Sequence, residues 1–213
     1  MKKSTLFMAV ALAVTISVAT ASATLVPPFT GAPGVSLTTI PALPTGTLVA
    51  DTGTIHFSFG TPTNPGKNTG TLSEEVFQDA HGFLFFVFQV TVTGGKKGDI
   101  ERLSTGDWAN SIQIDAEQYA PGTDVNALGV DRNGLGTVGI NWDPILLHGQ
   151  ASAFVVLYTK STEVIPGTLG LIDSGSNPTI PGYVAAATPE PSTLWLLAYA
   201  LAGVGGLRKK PRL

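Results

Sequence analysis

Alternation between apolar and polar positions dominates the middle of the chain. Residues 82–92, GFLFFVFQVTV, put Leu84, Phe86, Phe88, Val90 and Val92 on one face of an extended strand. Phe83, Phe85 and Val87 begin the opposite face, which turns polar at Gln89, Thr91 and Thr93. This pattern predicts a central strand buried on both sides at its start and on one side at its end. Shorter runs follow the same period of two. Ile55, Phe57 and Phe59 share a face in 54–59; so do Ile112, Ile114 and Ala116 in 111–116, and Val138, Ile140 and Trp142 in 137–142. Residues 152–159 and 168–173 read as further strands, and 71–77 as a weaker one. Between them stand turn signals: PTNPGKNTG, TGGKKGD, APGTD, DRNGLG, NWDP and GSNPTIPG. No stretch of 24–187 holds a 3.6-residue period over three turns. The expected fold is therefore all-β, an antiparallel β-sandwich of jelly-roll-like type, with 82–92 central and less than a tenth of 47–173 helical.

The two ends of the chain are different in kind. Lys2 and Lys3 precede an apolar stretch, 6–18, and Ala21-Ser22-Ala23 presents small residues at Ala21 and Ala23, where a signal peptidase needs them. Residues 1–23 are expected to be a signal peptide with a helical core. At the other end, Pro189-Glu190-Pro191 leads into an apolar run at 194–207, followed by a basic cluster of Arg208, Lys209, Lys210 and Arg212. These 14 apolar residues would span about 21 Å as a helix, short of a bilayer's hydrocarbon core of about 30 Å. A single short transmembrane helix, suited to a temporary tether, is expected there. Residues 24–45, rich in proline, read as an extended lead-in with at most one edge strand, 46–176 as the sandwich, 177–188 as a stalk and 189–213 as the tail.

Charge and cysteine content narrow the possibilities. Residues 24–187 hold 14 acidic and 6 basic side chains, a net charge of −8, whereas the other six lysines and arginines lie in the two ends. So acidic a body disfavours nucleic acid as a partner. The chain has no cysteine, which excludes disulfides and thiolate metal sites and leaves stability to the core.

The tail resembles the PEP-CTERM sorting signal: the triplet Pro189, Glu190, Pro191, an apolar segment ending in glycines, and the terminal basic cluster, in that order. The resemblance implies that Pro189, Glu190 and Pro191 are recognition residues for a membrane-embedded processing enzyme, an exosortase. It also implies a body delivered to the cell surface, outer membrane or extracellular polysaccharide matrix of a Gram-negative bacterium. The same class of tail carries the label of an ice-binding protein C-terminal domain, which describes no activity of the body. The segments GTLSEEVFQDAHGFLFFVFQVT, DIERLSTGDW, VDRNGLGTVGINW and SAFVVLYTKSTEVIPGTLGLIDSG resemble a domain common among PEP-CTERM proteins. That resemblance implies a β-sandwich and assigns no activity.

Motifs for chemistry are sparse. Asp51-Thr52-Gly53-Thr54 and Asp173-Ser174-Gly175-Ser176 both fit the D-[ST]-G-[ST] signature of aspartic proteases, in which two carboxylates share a proton. Local Asx turns explain them equally, and the carboxylates of Asp51 and Asp173 are expected not to meet. Asp115 and Glu117 alternate onto one strand face roughly 7 Å apart, a spacing that could serve glycoside hydrolysis but reads first as a solvated face. The DRNGLGT segment, 131–137, lacks the regular ligands of a calcium loop and is expected to be a hairpin turn. His56, His81 and His148 have no metal-ligand spacing, and His56 is expected at the surface. Thr-x-Thr triplets recur too unevenly for an ice-binding array. The leading expectation is a non-enzymatic exported surface or matrix protein without cofactor or metal. The alternatives are an exported hydrolase, or an ice- or glycan-binding sandwich with an aromatic groove using Trp108 or Trp142.

Overall fold

The computed structural model describes residues 23–27, 30–61, 64–94, 100–172 and 178–187. Among the described residues fourteen strands form: β1 (Thr24–Leu25), β2 (Thr30–Val35), β3 (Thr38–Thr39), β4 (Thr47–Asp51), β5 (Ile55–Thr61), β6 (Asn64–Gln78), β7 (Leu84–Gly94), β8 (Ile100–Gly106), β9 (Ile114–Tyr119), β10 (Gly129–Arg132), β11 (Val138–Leu146), β12 (Phe154–Thr159), β13 (Val164–Ile172) and β14 (Thr179–Ala185). No helix occurs among the described residues. One sheet runs β1-β9-β12-β7-β6-β4, with β3 beside β9 and β5 beside β6; the other runs β14-β13-β8-β11-β10-β2. All pairings are antiparallel except β3 with β9. From β7 onward the chain crosses repeatedly between the sheets, returning within one sheet only at the β10–β11 and β13–β14 hairpins.

The predicted central strand is β7, flanked by β12 and β6. Its inward residues Leu84, Phe86, Phe88, Val90 and Val92 are buried against Leu103, Ile140 and Leu171 of the facing sheet. Its outward residues Phe85 and Val87 are buried too, in a second small cluster with Ile40 and Val156. Burying one such side chain is worth about 1.5–3 kcal/mol, so a strand this apolar on both faces requires cover on both. The outer cover comes from the proline-rich segment preceding β4. That segment is thus part of the sandwich: β1 and β3 extend one sheet, β2 closes the edge of the other, and Ile40 seals the outer cluster.

Three other expectations give way. Residues 177–188, read as a stalk, contain β14, paired with β13 along its whole length. The NWDP segment lies inside β11, where a register shift between Asn141 and Leu146 and a cis Asp143–Pro144 bond replace the expected turn. Trp108 and Trp142 do not line a groove; both are core residues, the first packed edge-on to Phe86 at 4.9 Å. DRNGLGT, by contrast, forms the expected hairpin turn, with Asn133 Oδ1 accepting the N–H groups of Leu135 and Thr137.

Candidate functional site

Of the residues singled out in the sequence, Ala21, Pro189, Glu190, Pro191, Arg208, Lys209, Lys210, Arg212 and Asp173 lie outside the described residues, as do the expected terminal helices. Ala23 is described, half-buried and immediately before β1. The structure does define the point at which the chain is released toward the tail. Val184 and Ala185 are buried. Ala186 donates its N–H to Glu163 O (2.8 Å) and accepts from Ser161 Oγ (2.7 Å). The body therefore holds its chain up to Ala186, and only Ala187 and Thr188 separate that residue from Pro189.

Glu74 was not foreseen as special. It sits on β6 in phase with Leu72 and Val76, and so points into the core, fully buried. Its Oε2 accepts the Tyr183 N–H at 2.9 Å, while Oε1 has no partner. Burial pushes its carboxyl from 4.5 up to about 8, against the opposing effect of the Tyr183 bond. Tyr183 belongs to β14, the last strand of its sheet, and this N–H faces the open edge. Two residues earlier, Pro181 offers no N–H at all. An edge strand with bare donors invites pairing with other chains, and here proline and Glu74 remove two of them. Gly182 permits the approach: a Cβ there would lie 2.8 Å from Glu74 Oε2 and 2.5 Å from Leu169 Cγ. Beside this edge lies a cavity of about 450 Å³, lined by Asp51, Thr52 and Ile55 on one side and Pro166, Ile180 and Tyr183 on the other.

Asp51, Asp115, Glu117 and Asp131 are engaged locally. Asp51 Oδ1 accepts Gly53 N–H at 2.6 Å, an Asx turn that explains the first DTGT signature by itself. Asp115 and Glu117 share the outer face of their sheet, as their spacing required, but only Asp115 is partly open to solvent. Glu117 is 5% exposed, and its Oε2 accepts the Tyr158 hydroxyl at 2.7 Å. Burial, and then Glu117, push the Tyr158 phenol well above its ordinary range. Replacing Tyr158 by Phe should cost about 1.5–3 kcal/mol, the worth of a hydrogen bond to a charged group, measurable by urea unfolding. On the other sheet Arg102 lies flat across Gly139, where a Cβ would be 1.9 Å from its guanidinium. From there it reaches Asp131 with both terminal nitrogens and Asn141 Oδ1 at 2.7 Å. This cluster uses the Asp of DRNGLGT as an ion-pair partner and leaves no ligand set. His56, His81 and His148 are exposed, and no group of three or more His, Asp or Glu gathers among the described residues.

What decides the role of the tail is a match to a known family. Residues 187–210 match the PEP-CTERM protein-sorting motif. The tail is a PEP-CTERM sorting signal. Such a signal marks an exported protein, processed by an exosortase and sorted to the cell surface. The match begins one residue beyond the pinned Ala186, so the PEP-CTERM signal follows the folded body without an intervening stalk. No curated protein and no solved structure matches the chain.

Proposed function

We propose that this chain is a non-enzymatic surface or extracellular-matrix protein, whose β-sandwich is the delivered module and whose PEP-CTERM tail is removed by an exosortase. The observation that carries this reading is the sorting motif placed directly after β14. The outer membrane or the polysaccharide matrix of a Gram-negative cell is its destination, and a polysaccharide its partner there. The short apolar run is the temporary membrane anchor, and the signal peptide is cut after Ala23, just ahead of β1. The engaged acids support a body without catalysis: Glu74 caps an edge strand, Asp51 closes its own turn, Glu117 holds Tyr158, and Asp131 holds Arg102.

The test is the mass of protein recovered from the cell surface. Wild-type chains should lack residues 208–213. Glu190→Ala should leave the sandwich folded, because Glu190 lies beyond the last strand, yet should reduce tail removal at least tenfold. Mature wild-type chains that keep the basic C-terminus would refute the processing reading. Hydrolysis of a peptide or glycoside by the purified body, abolished by Asp51→Asn or Asp115→Asn, would refute the non-enzymatic one.

A further inference from the structure

The strands of a sandwich end at two poles, and the chain leaves for the tail at one of them. That pole holds the β6–β7 turn, the β10–β11 turn, the β12–β13 connection and the end of β14. Eight large apolar side chains are exposed among the described residues. Six lie in the half of the sandwich nearest this pole: Leu25, Leu48, Val49, Phe83, Leu135 and Ile165. Leu135, at the tip of the β10–β11 turn, is 90% exposed. Only Leu128 and Leu147 lie toward the far pole. Scattered exposed leucines need no explanation singly, but their concentration beside the tail exit does.

The tether is short. From Ala186 to Pro189 the chain can reach about 11 Å at about 3.6 Å per extended residue, and to Leu194, where the apolar run begins, at most about 29 Å. A body pinned at Ala186 is therefore held within about 29 Å of a bilayer that holds 194–207. We propose that in the precursor this pole rests on the lipid interface, with the exposed side chains at its turns, Leu135 and Phe83 foremost, dipping among the headgroups. Asp79, Asp107, Asp115 and Glu163 outnumber Lys160 at the same pole, so a zwitterionic surface suits it better than an anionic one. The proposal rests on the tail being membrane-anchored. Tail removal would free the pole and let the body leave the membrane.

The chain has no cysteine, so single-site labelling is unambiguous. Leu135→Cys and Leu147→Cys, each carrying an NBD fluorophore, would be made in the precursor with its tail intact. The labelled chains would be reconstituted in phosphatidylcholine–phosphatidylethanolamine vesicles containing a doxyl-labelled lipid quencher. Both chains should float with the vesicles, and the label at 135 should be quenched at least twofold more than that at 147. Inserting twenty Gly/Ser residues between Thr188 and Pro189 should reduce that difference while flotation persists. Equal quenching at the two sites would overturn the proposal. So would quenching at 135 that appears only when an exosortase is co-reconstituted, which would make the enzyme the partner of this pole. Chains that fail to float refute the anchoring itself, and this proposal with it.

Discussion

Raising the pH from 5 to 9 should cost the folded body several kcal/mol, and Glu74→Gln should remove most of that loss. In the folded chain Glu74 keeps its proton up to about pH 8; in the unfolded chain it loses it near 4.5. Between those values the native state binds a proton that the unfolded state has released. Stability therefore falls as pH rises across this window and levels off above it. The stabilisation is fully present below about 4.5 and is lost as pH passes through 8. At 1.36 kcal/mol per unit, the separation corresponds to about 5 kcal/mol at most. Urea midpoints read from the buried Trp108 and Trp142 at pH 5, 7 and 9 measure it.

Glutamine copies the shape and hydrogen bonding of the neutral acid. Its carbonyl can accept the Tyr183 N–H, and its amide takes the place of the protonated oxygen that already lacks a partner. At pH 5 the variant should match the wild type within about 1 kcal/mol. At pH 9 it should be the more stable of the two, because no charge is left to bury. Parallel pH profiles for the two chains would show that Glu74 is not buried as described. The same experiment addresses aggregation. If ionised Glu74 repels its own site, β14 should loosen at high pH and expose the Tyr183 donor, and wild type should associate more readily than the glutamine variant.

How far the sequence told this story depends on the kind of interaction. The period-two faces of 82–92 and 137–142 reappear as β7 and β11, and the apolar run 152–159 as β12, because the burial of a strand's side chains is a local pattern enforced by the pleat. The tail could be recognised because an enzyme reads it as a linear motif, with no tertiary structure required. Residues 24–45 and 177–188 pair more extensively than their local signals indicate, for a shared reason. Proline and glycine mark turns, but they are also tolerated in edge strands, and the two edge strands β2 and β14 both contain them. Nothing local reveals whether such a segment finds a partner. Glu74 was half legible. It occupies the apolar phase between Leu72 and Val76, a polar residue where the pattern demands a hydrophobic one. Its partner, more than a hundred residues away on β14, was not. The Arg102–Asp131–Asn141 cluster joins three strands, and Glu117 is roofed by a segment that pairs with β9 only in the folded chain. Both arise from sheet order, which alternation does not encode.

Arg132 carries the other large effect, and its sequence context, one residue past Asp131, suggests a surface position that the fold denies. On β10 it follows Val130 with a side chain between them pointing the other way, so it too faces inward, fully buried. No carboxylate pairs with it. Instead Nη1 donates to Ile112 O at 2.6 Å and Nη2 to Ala109 O at 2.5 Å, while Nε is left without a partner. Burial works against the charge and lowers the pKa, but a guanidinium remains protonated. The fork thus clips the loop between β8 and β9, whose residues 107–113 carry the chain from one sheet to the other and seat Trp108 and Ile112 in the core. Arg132→Ala would remove both donors and leave a cavity and the Ile112 carbonyl unmet, while Ala109 O keeps the Ile112 N–H at 3.0 Å. We expect it to cost about 3–5 kcal/mol, from the cavity left behind and about 1–3 kcal/mol for the unmet carbonyl. Arg132→Met fills the space without a charge to bury, so it should lose only about half as much. Arg132→Lys keeps the charge but cannot fork to both carbonyls, and it should fall nearer to alanine. Hydrogen exchange supplies the readout that separates this clip from general packing. In the methionine variant the amides of 109–113 should exchange at least tenfold faster, while those of β7 and β12 keep most of their protection. An alanine variant within 1 kcal/mol of wild type, or uniform loss of protection in the methionine variant, would show that the loop is held by something other than Arg132.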